Sequence, residues 1–180
     1  MKLFKYESYK ITISEEAMLL KPFKAIWKRD RSQNKEKAIM ELGFIYFFCD
    51  IRSDYQYIVD EDVRKEAIKE GEGLPKEWEP DDLVLKAMEF YNTFKPTSAL
   101  LLEDTRYAVD KLRKLLRDID LTQTDDRGKP IYTLNTIAAT IKQVPMLVKD
   151  LDEAERSIAK EIAQSDKVRG AQSKSIYEDL

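Results

Sequence analysis

An all-α fold is what this sequence predicts: a single helical domain with a buried central helix and a long antiparallel helical hairpin, preceded by an extended N-terminal arm. Three observations predict it. The segment Lys35 to Ile51, KEKAIMELGFIYFFCDI, starts with one apolar face and ends apolar nearly all round, a pattern that needs other helices on every side. Apolar residues recur at three-and-four spacing through two long C-terminal stretches, the mark of helices that pair along a seam. Alternation of period two is confined to the first residues, where it describes an arm rather than a sheet. At 180 residues the chain is long enough for one substantial core and short for two. The expected division is therefore an arm over 1–13, a helical domain over 14–165 and a polar tail over 166–180.

Taken in order, Leu3 to Ile13 carries aromatic and β-branched residues in partial alternation. A lone strand beside helices has no sheet to join, so it either drapes over a neighbouring subunit or folds back on its own domain. Ser14, followed by Glu15 and Glu16, caps a short helix with acid in its first turn. Pro22 is a first-turn proline for a helix that puts Phe23, Ile26 and Trp27 on one face. Asp30 or Ser32 caps the central helix, whose hub is Leu42 to Cys49. Asp60 then caps Glu61 to Glu70, which Gly71 ends. The stretch EGEGLPKEWEP over 70–80 is an irregular connection. It carries Trp78, either a lid on the core or an exposed anchor for a partner.

Pro80, Asp81 and Asp82 open a helix to about Phe94. Lys95-Pro96 ends that pattern, and Thr97 or Ser98 caps a long helix to about Asp120. Its predicted seam is Leu101, Ala108, Leu112, Leu115 and Ile119, interrupted by Thr105. Asp126 to Lys129 form a turn. Thr133 caps the last helical region, with Leu134, Ile137, Ile141, Val144, Val148, Leu151, Ile158 and Ile162 on one seam and a kink or break at Pro145.

Composition excludes most chemistry. The chain has no histidine and one cysteine, Cys49, which removes the commonest acid/base group, any internal disulfide and cysteine-based metal sites. Asp118, Asp120 and Thr122 alternate like calcium ligands, but Gln123 stands where the loop needs glycine and Lys129 where it needs glutamate. The five glycines form no phosphate-cradling loop. No catalytic, cofactor-binding or metal-ligating residue is therefore assigned, no cofactor is expected, and the chain reads as a non-enzyme. The longest apolar run is well short of the roughly 20 residues of a membrane span. The first residues also lack the apolar centre of a secretion signal.

Net charge is only −3, but it is unevenly spread. Lys21 to Lys37 holds seven cations against two acids, whereas Asp60 to Glu89 holds eleven acids against five bases. The basic segment, interleaved with Phe23 and Trp27, suits either phosphates or an acidic protein surface. A basic face and an acidic face on one subunit can meet head to tail and close a ring. The candidate interface residues are Lys24, Trp27, Lys28, Arg29, Arg31 and Trp78, with Ile176 and Tyr177 of the tail as a pair that could insert into a neighbour.

The stretch Lys21 to Tyr55, KPFKAIWKRDRSQNKEKAIMELGFIYFFCDIRSDY, resembles the amino-terminal portion of small virion structural proteins of tailed bacteriophages, in particular the crAss-like phages of gut bacteria. The resemblance implies a neck component of the virion, assembled in the host cytoplasm: a ring or head-to-tail connector stacked below the portal. It would be present in many copies, with portal and tail components as partners and DNA passing through the middle. No functional residues transfer, because that family has no catalytic motif. The alternative expectation is a nucleic-acid-binding accessory protein that uses the basic patch Lys21 to Lys37. Neither reading involves a membrane.

Overall fold

The computed structural model describes residues 3–7 and 10–170, which form two strands and seven helices. In order these are β1 (Phe4–Glu7), β2 (Lys10–Ile13), α1 (Glu15–Leu19), α2 (Lys21–Arg29), α3 (Glu36–Cys49), α4 (Glu61–Gly71), α5 (Asp82–Asn92), α6 (Thr97–Asp118) and α7 (Leu134–Gly170). The fold is mostly helical but not purely so. The chain divides into two compact units, Met1–Pro96 and Thr97–Leu180, where the sequence predicts one helical domain over 14–165. The division falls where Pro96 interrupts the chain.

In the first unit α3 is the hub, as its all-round apolar sequence requires. It packs against α2, α4, α5 and β2. Ala38, Leu42, Phe44, Ile45, Tyr46, Phe47 and Cys49 are all buried, and so is Glu41. Aspartates start the neighbouring helices as the sequence predicts. Asp60 accepts a hydrogen bond from the Val63 amide at 3.2 Å, and Asp81 accepts from the amides of Leu83 and Val84, each at 3.1 Å. These contacts satisfy donors that a helix start otherwise leaves unpaired.

Asp30 caps α3 from a distance. Its Oδ2 accepts from the Ala38 amide at 3.0 Å while Oδ1 accepts from the Ser32 amide at 2.8 Å. Lys35, the residue next to the helix, adopts the left-handed region at φ 54°. That conformation folds the intervening loop back far enough for its Nζ to bond the Asp30 carbonyl.

The arm differs from the all-α expectation. Phe4 pairs with Ile13, Tyr6 with Ile11 and Glu7 with Lys10, so the segment is an antiparallel β-hairpin. It lies on its own unit. Leu3 and Phe4 are buried, and the Phe4 ring stacks on Tyr91 at 5.7 Å while meeting the edge of Phe23 at 5.5 Å. The physical reason is that an aromatic ring buried among others gains far more than one left on a free arm. β2 crosses α3 at Gly43, where a Cβ would stand only 3.1 Å from Ile11 Cδ1.

The second unit is the antiparallel hairpin of α6 and α7 that the two long seams predict. Ser98 Oγ donates to Glu161 at 3.3 Å, and further along α6 Arg106 bonds Glu155, earlier on α7, at 2.8 Å. The connection over 119–133 joins the helices and contains a turn closed by the Asp125 carboxylate, which accepts from the amides of Arg127 and Lys129. Of the kink or split expected at Pro145, the split does not occur: α7 runs as one helix through it. A proline inside a helix removes one N–H, and the rest of the ladder holds here.

Candidate assembly surface

The predicted interface residues do not form one site. Lys24, Lys28 and Arg31 are exposed. Arg29 turns inward instead, bonding Glu41 at 2.7 Å and also Asp81. Burial works against the charge on Arg29, but its two carboxylate partners outweigh that and raise its pKa. Part of the basic segment is thus neutralised by the acidic segment of the same unit, rather than kept for a neighbour. Trp27 and Trp78 are half-buried and pack on the core, Trp78 edge-on to Phe44 at 4.8 Å. Trp78 is therefore a lid, the first of the two roles open to it. Ile176 and Tyr177 lie outside the described residues.

A second polar centre is internal as well. Asp50 accepts from Arg52 Nε at 2.8 Å, from the Arg52 amide at 2.9 Å and from the Tyr91 hydroxyl. Burial pushes the Asp50 carboxyl up, but the guanidinium and hydroxyl donors prevail and hold it below its ordinary range. The Tyr91 hydroxyl is pushed up, by burial first and by the Asp50 charge next. Both effects suit a structural clamp whose proton does not move near neutral pH. Similarly, Lys69 is buried between Glu66 at 3.0 Å and Glu79 at 3.3 Å, bonds that raise its pKa and hold the 70–80 connection onto α4.

One groove of about 290 Å³ opens beside α3, lined by Tyr6, Ile11, Ile39, Gly43, Phe44 and Leu74, with Glu36 and Glu72 also in its wall. It holds no converging set of donors or nucleophiles. Among the described residues no group of three or more His, Cys, Asp or Glu side chains could hold a metal ion, and no helix is long and apolar enough to cross a membrane.

The surface that stands apart is the hairpin of α6 and α7. Its inward residues on α6 are Leu102, Thr105, Val109, Leu112 and Leu116, continued by Ile119, all half-buried or buried. On α7 they are Ile137, Thr140, Val144, Leu151, Ala154 and Ile158. This corrects the predicted seams. Leu101, Ala108 and Leu115 face outward on α6, and Leu134, Ile141 and Val148 face outward on α7. The cause is that each helix carries three apolar columns where a two-helix seam uses two. The third column, adjacent to the seam, stays in solvent. Leu101 is 65 % exposed, Leu134 71 % and Ile141 54 %. In the first unit, by contrast, the apolar side chains of the hub are almost wholly enclosed.

An apolar face of three columns is what a helix needs in a bundle of more than two. The hairpin thus carries unpaired helix-packing surface, which was legible in the sequence only as an excess of apolar positions. Known protein families, curated proteins and solved structures were all compared with this chain, and none matches it.

Proposed function

We propose that this chain is a structural assembly protein, a ring or head-to-tail connector component in the neck of a tailed-phage virion. In this reading several copies surround the channel through which DNA passes, with portal and tail components as further neighbours. It acts by fitting surfaces together and has no catalytic step. The single observation that carries the reading is the exposed third apolar column on each helix of the hairpin, with Leu101, Leu134 and Ile141 more than half in solvent. Exposed apolar stripes of that kind, unlike scattered single residues, mark edges where another macromolecule packs. The virion setting comes from the resemblance of Lys21 to Tyr55. The multi-copy character comes from the hairpin.

The basic residues left outside, Lys24, Lys28 and Arg31, support a second reading, in which they contact nucleic-acid phosphates. The two readings differ in what salt does. Phosphate contacts weaken steeply as salt rises, whereas apolar packing of helices does not. Light scattering on the purified chain, with imaging of the particles by electron microscopy, tests the proposal. Multi-copy particles that persist in high salt are expected. A chain that stays monomeric while binding DNA in dilute salt favours the second reading and sinks the first.

A further inference from the structure

The hairpin's two exposed columns sit on opposite edges. Arg106 and Glu155 bond across the seam and so mark one edge. Glu155 lies on the same heptad column as Val148, Ile141 and Leu134, which places that stripe on the edge with Arg106. On α6, Leu101, Ala108 and Leu115 each precede a seam residue, Leu102, Val109 and Leu116, whereas Arg106 and Arg113 each follow one by a turn. Residues before and a turn after the same seam position flank it on opposite sides. One edge is thus lined by α6 and the other by α7.

We infer that copies of this chain join edge to edge through these stripes, Leu101, Ala108 and Leu115 of one copy packing antiparallel on Val148, Ile141 and Leu134 of the next. The inference rests on the assembly reading above and deepens it by naming the contact. Both stripes are one heptad apart in their steps and equal in length, so they match residue for residue. In that register the small Ala108 faces Ile141 at the centre of the contact, where a small residue opposite a large one lets the helices approach closely. Two α6 edges set together would place Ala108 against Ala108 and leave a gap. Charge is compatible with the same register: Asp104, outside the α6 stripe, comes level with Pro145 and so falls between Lys142 and Lys149, about a turn to either side of it on α7. An edge that mates with a different edge repeats without limit until rotation closes it, so the contact generates a ring or a filament and not an isolated pair.

The test uses two full-length variants, Ala108→Cys and Ile141→Cys. The native thiol, Cys49, is buried and is left in place. The two proteins are mixed, oxidised gently and digested, and the linked peptides are counted by mass spectrometry. Disulfides form only where Cα atoms approach within about 7 Å. The mixed 108–141 link is expected to exceed either like-with-like link severalfold. Predominance of like-with-like links, or no link at all, overturns the inference. Light scattering before oxidation separates the two levels. Multi-copy particles without the mixed link overturn this contact and leave the assembly reading standing, whereas a monomer removes both.

Discussion

Arg29 donates to Glu41 at 2.7 Å and to Asp81 with its other terminal nitrogen, so one side chain at the end of α2 ties the middle of α3 to the start of α5. The two partners are unequal: the Glu41 side chain is 3 % exposed and that of Arg29 32 %. Removing the cation leaves a carboxylate buried with Lys37 only at 3.8 Å, whereas neutralising Glu41 leaves Arg29 with Asp81 and water. Arg29→Met should therefore cost about 3 kcal/mol and Glu41→Gln about 1 kcal/mol. Urea unfolding midpoints measure both. Equal costs would show that the asymmetry of burial is irrelevant.

Tyr91 supplies the hydroxyl that bonds Asp50 inside the first unit. Tyr91→Phe keeps the ring stacked on Phe4 and deletes only that donor to a charged acceptor. The expected loss is about 2 kcal/mol. Thermal unfolding reads the change, and a neutral result would remove the hydroxyl from the clamp.

Acid should weaken the start of α3. The backbone amides of Ala38 and Ser32 hold the Asp30 carboxyl down at about 2, against an ordinary value near 3.9. A group whose folded pKa is depressed contributes stability above its unfolded pKa and loses it as pH falls through the folded value. The contribution of Asp30 is thus complete above about pH 4 and lost toward pH 2. Asp30→Asn should flatten that part of the stability curve. An unchanged acid limb in the variant refutes the assignment.

Gly71 ends α4 against the Tyr55 ring, and a Cβ there would fall 2.1 Å from the Tyr55 hydroxyl, which itself donates to Glu72 at 2.9 Å. Gly71→Ala should destabilise by displacing that hydroxyl. In a Tyr55→Phe background the obstructing oxygen is gone, so the same substitution should cost less. A double-mutant cycle reads the coupling, and strictly additive effects would count against the clash.

The two units should also differ in protection. α3 is enclosed by its neighbours, whereas α6 and α7 bury few side chains. Amides of the hairpin should exchange much faster than those of α3 in the dilute chain, and slow on assembly. Equal protection in both units before assembly would contradict the exposed columns.

How far the sequence could be read depended on how many solutions each pattern allows. The hub helix has one, since a run such as Phe44 to Phe47 must be enclosed, and its position and burial follow directly. Asp60 and Asp81 likewise announce their helices because short polar caps have a fixed geometry. The seam of α6 allows two solutions, because Leu112 and Ile119 belong both to the seam that runs through Leu115 and to the one that runs through Leu116. Choosing between them takes a rotation of one residue, which the Arg106–Glu155 bond fixes only in three dimensions. The β-hairpin was hidden for another reason: Ser8-Tyr9, between Glu7 and Lys10, lacks the glycine or asparagine that announces a two-residue turn. The inward use of Arg29 had no signal in its neighbours, since nothing local distinguishes it from Lys28.

Phe4 closes against Tyr91 across nearly the whole first unit. Because the ribosome delivers one partner long before the other, this core has no way to shut during the early part of translation. The hub's aromatic residues must wait, exposed to solvent or to a chaperone, until α5 has cleared the exit tunnel. Slow codons placed beyond α5 would favour clean maturation, whereas a stall before it would leave a sticky intermediate.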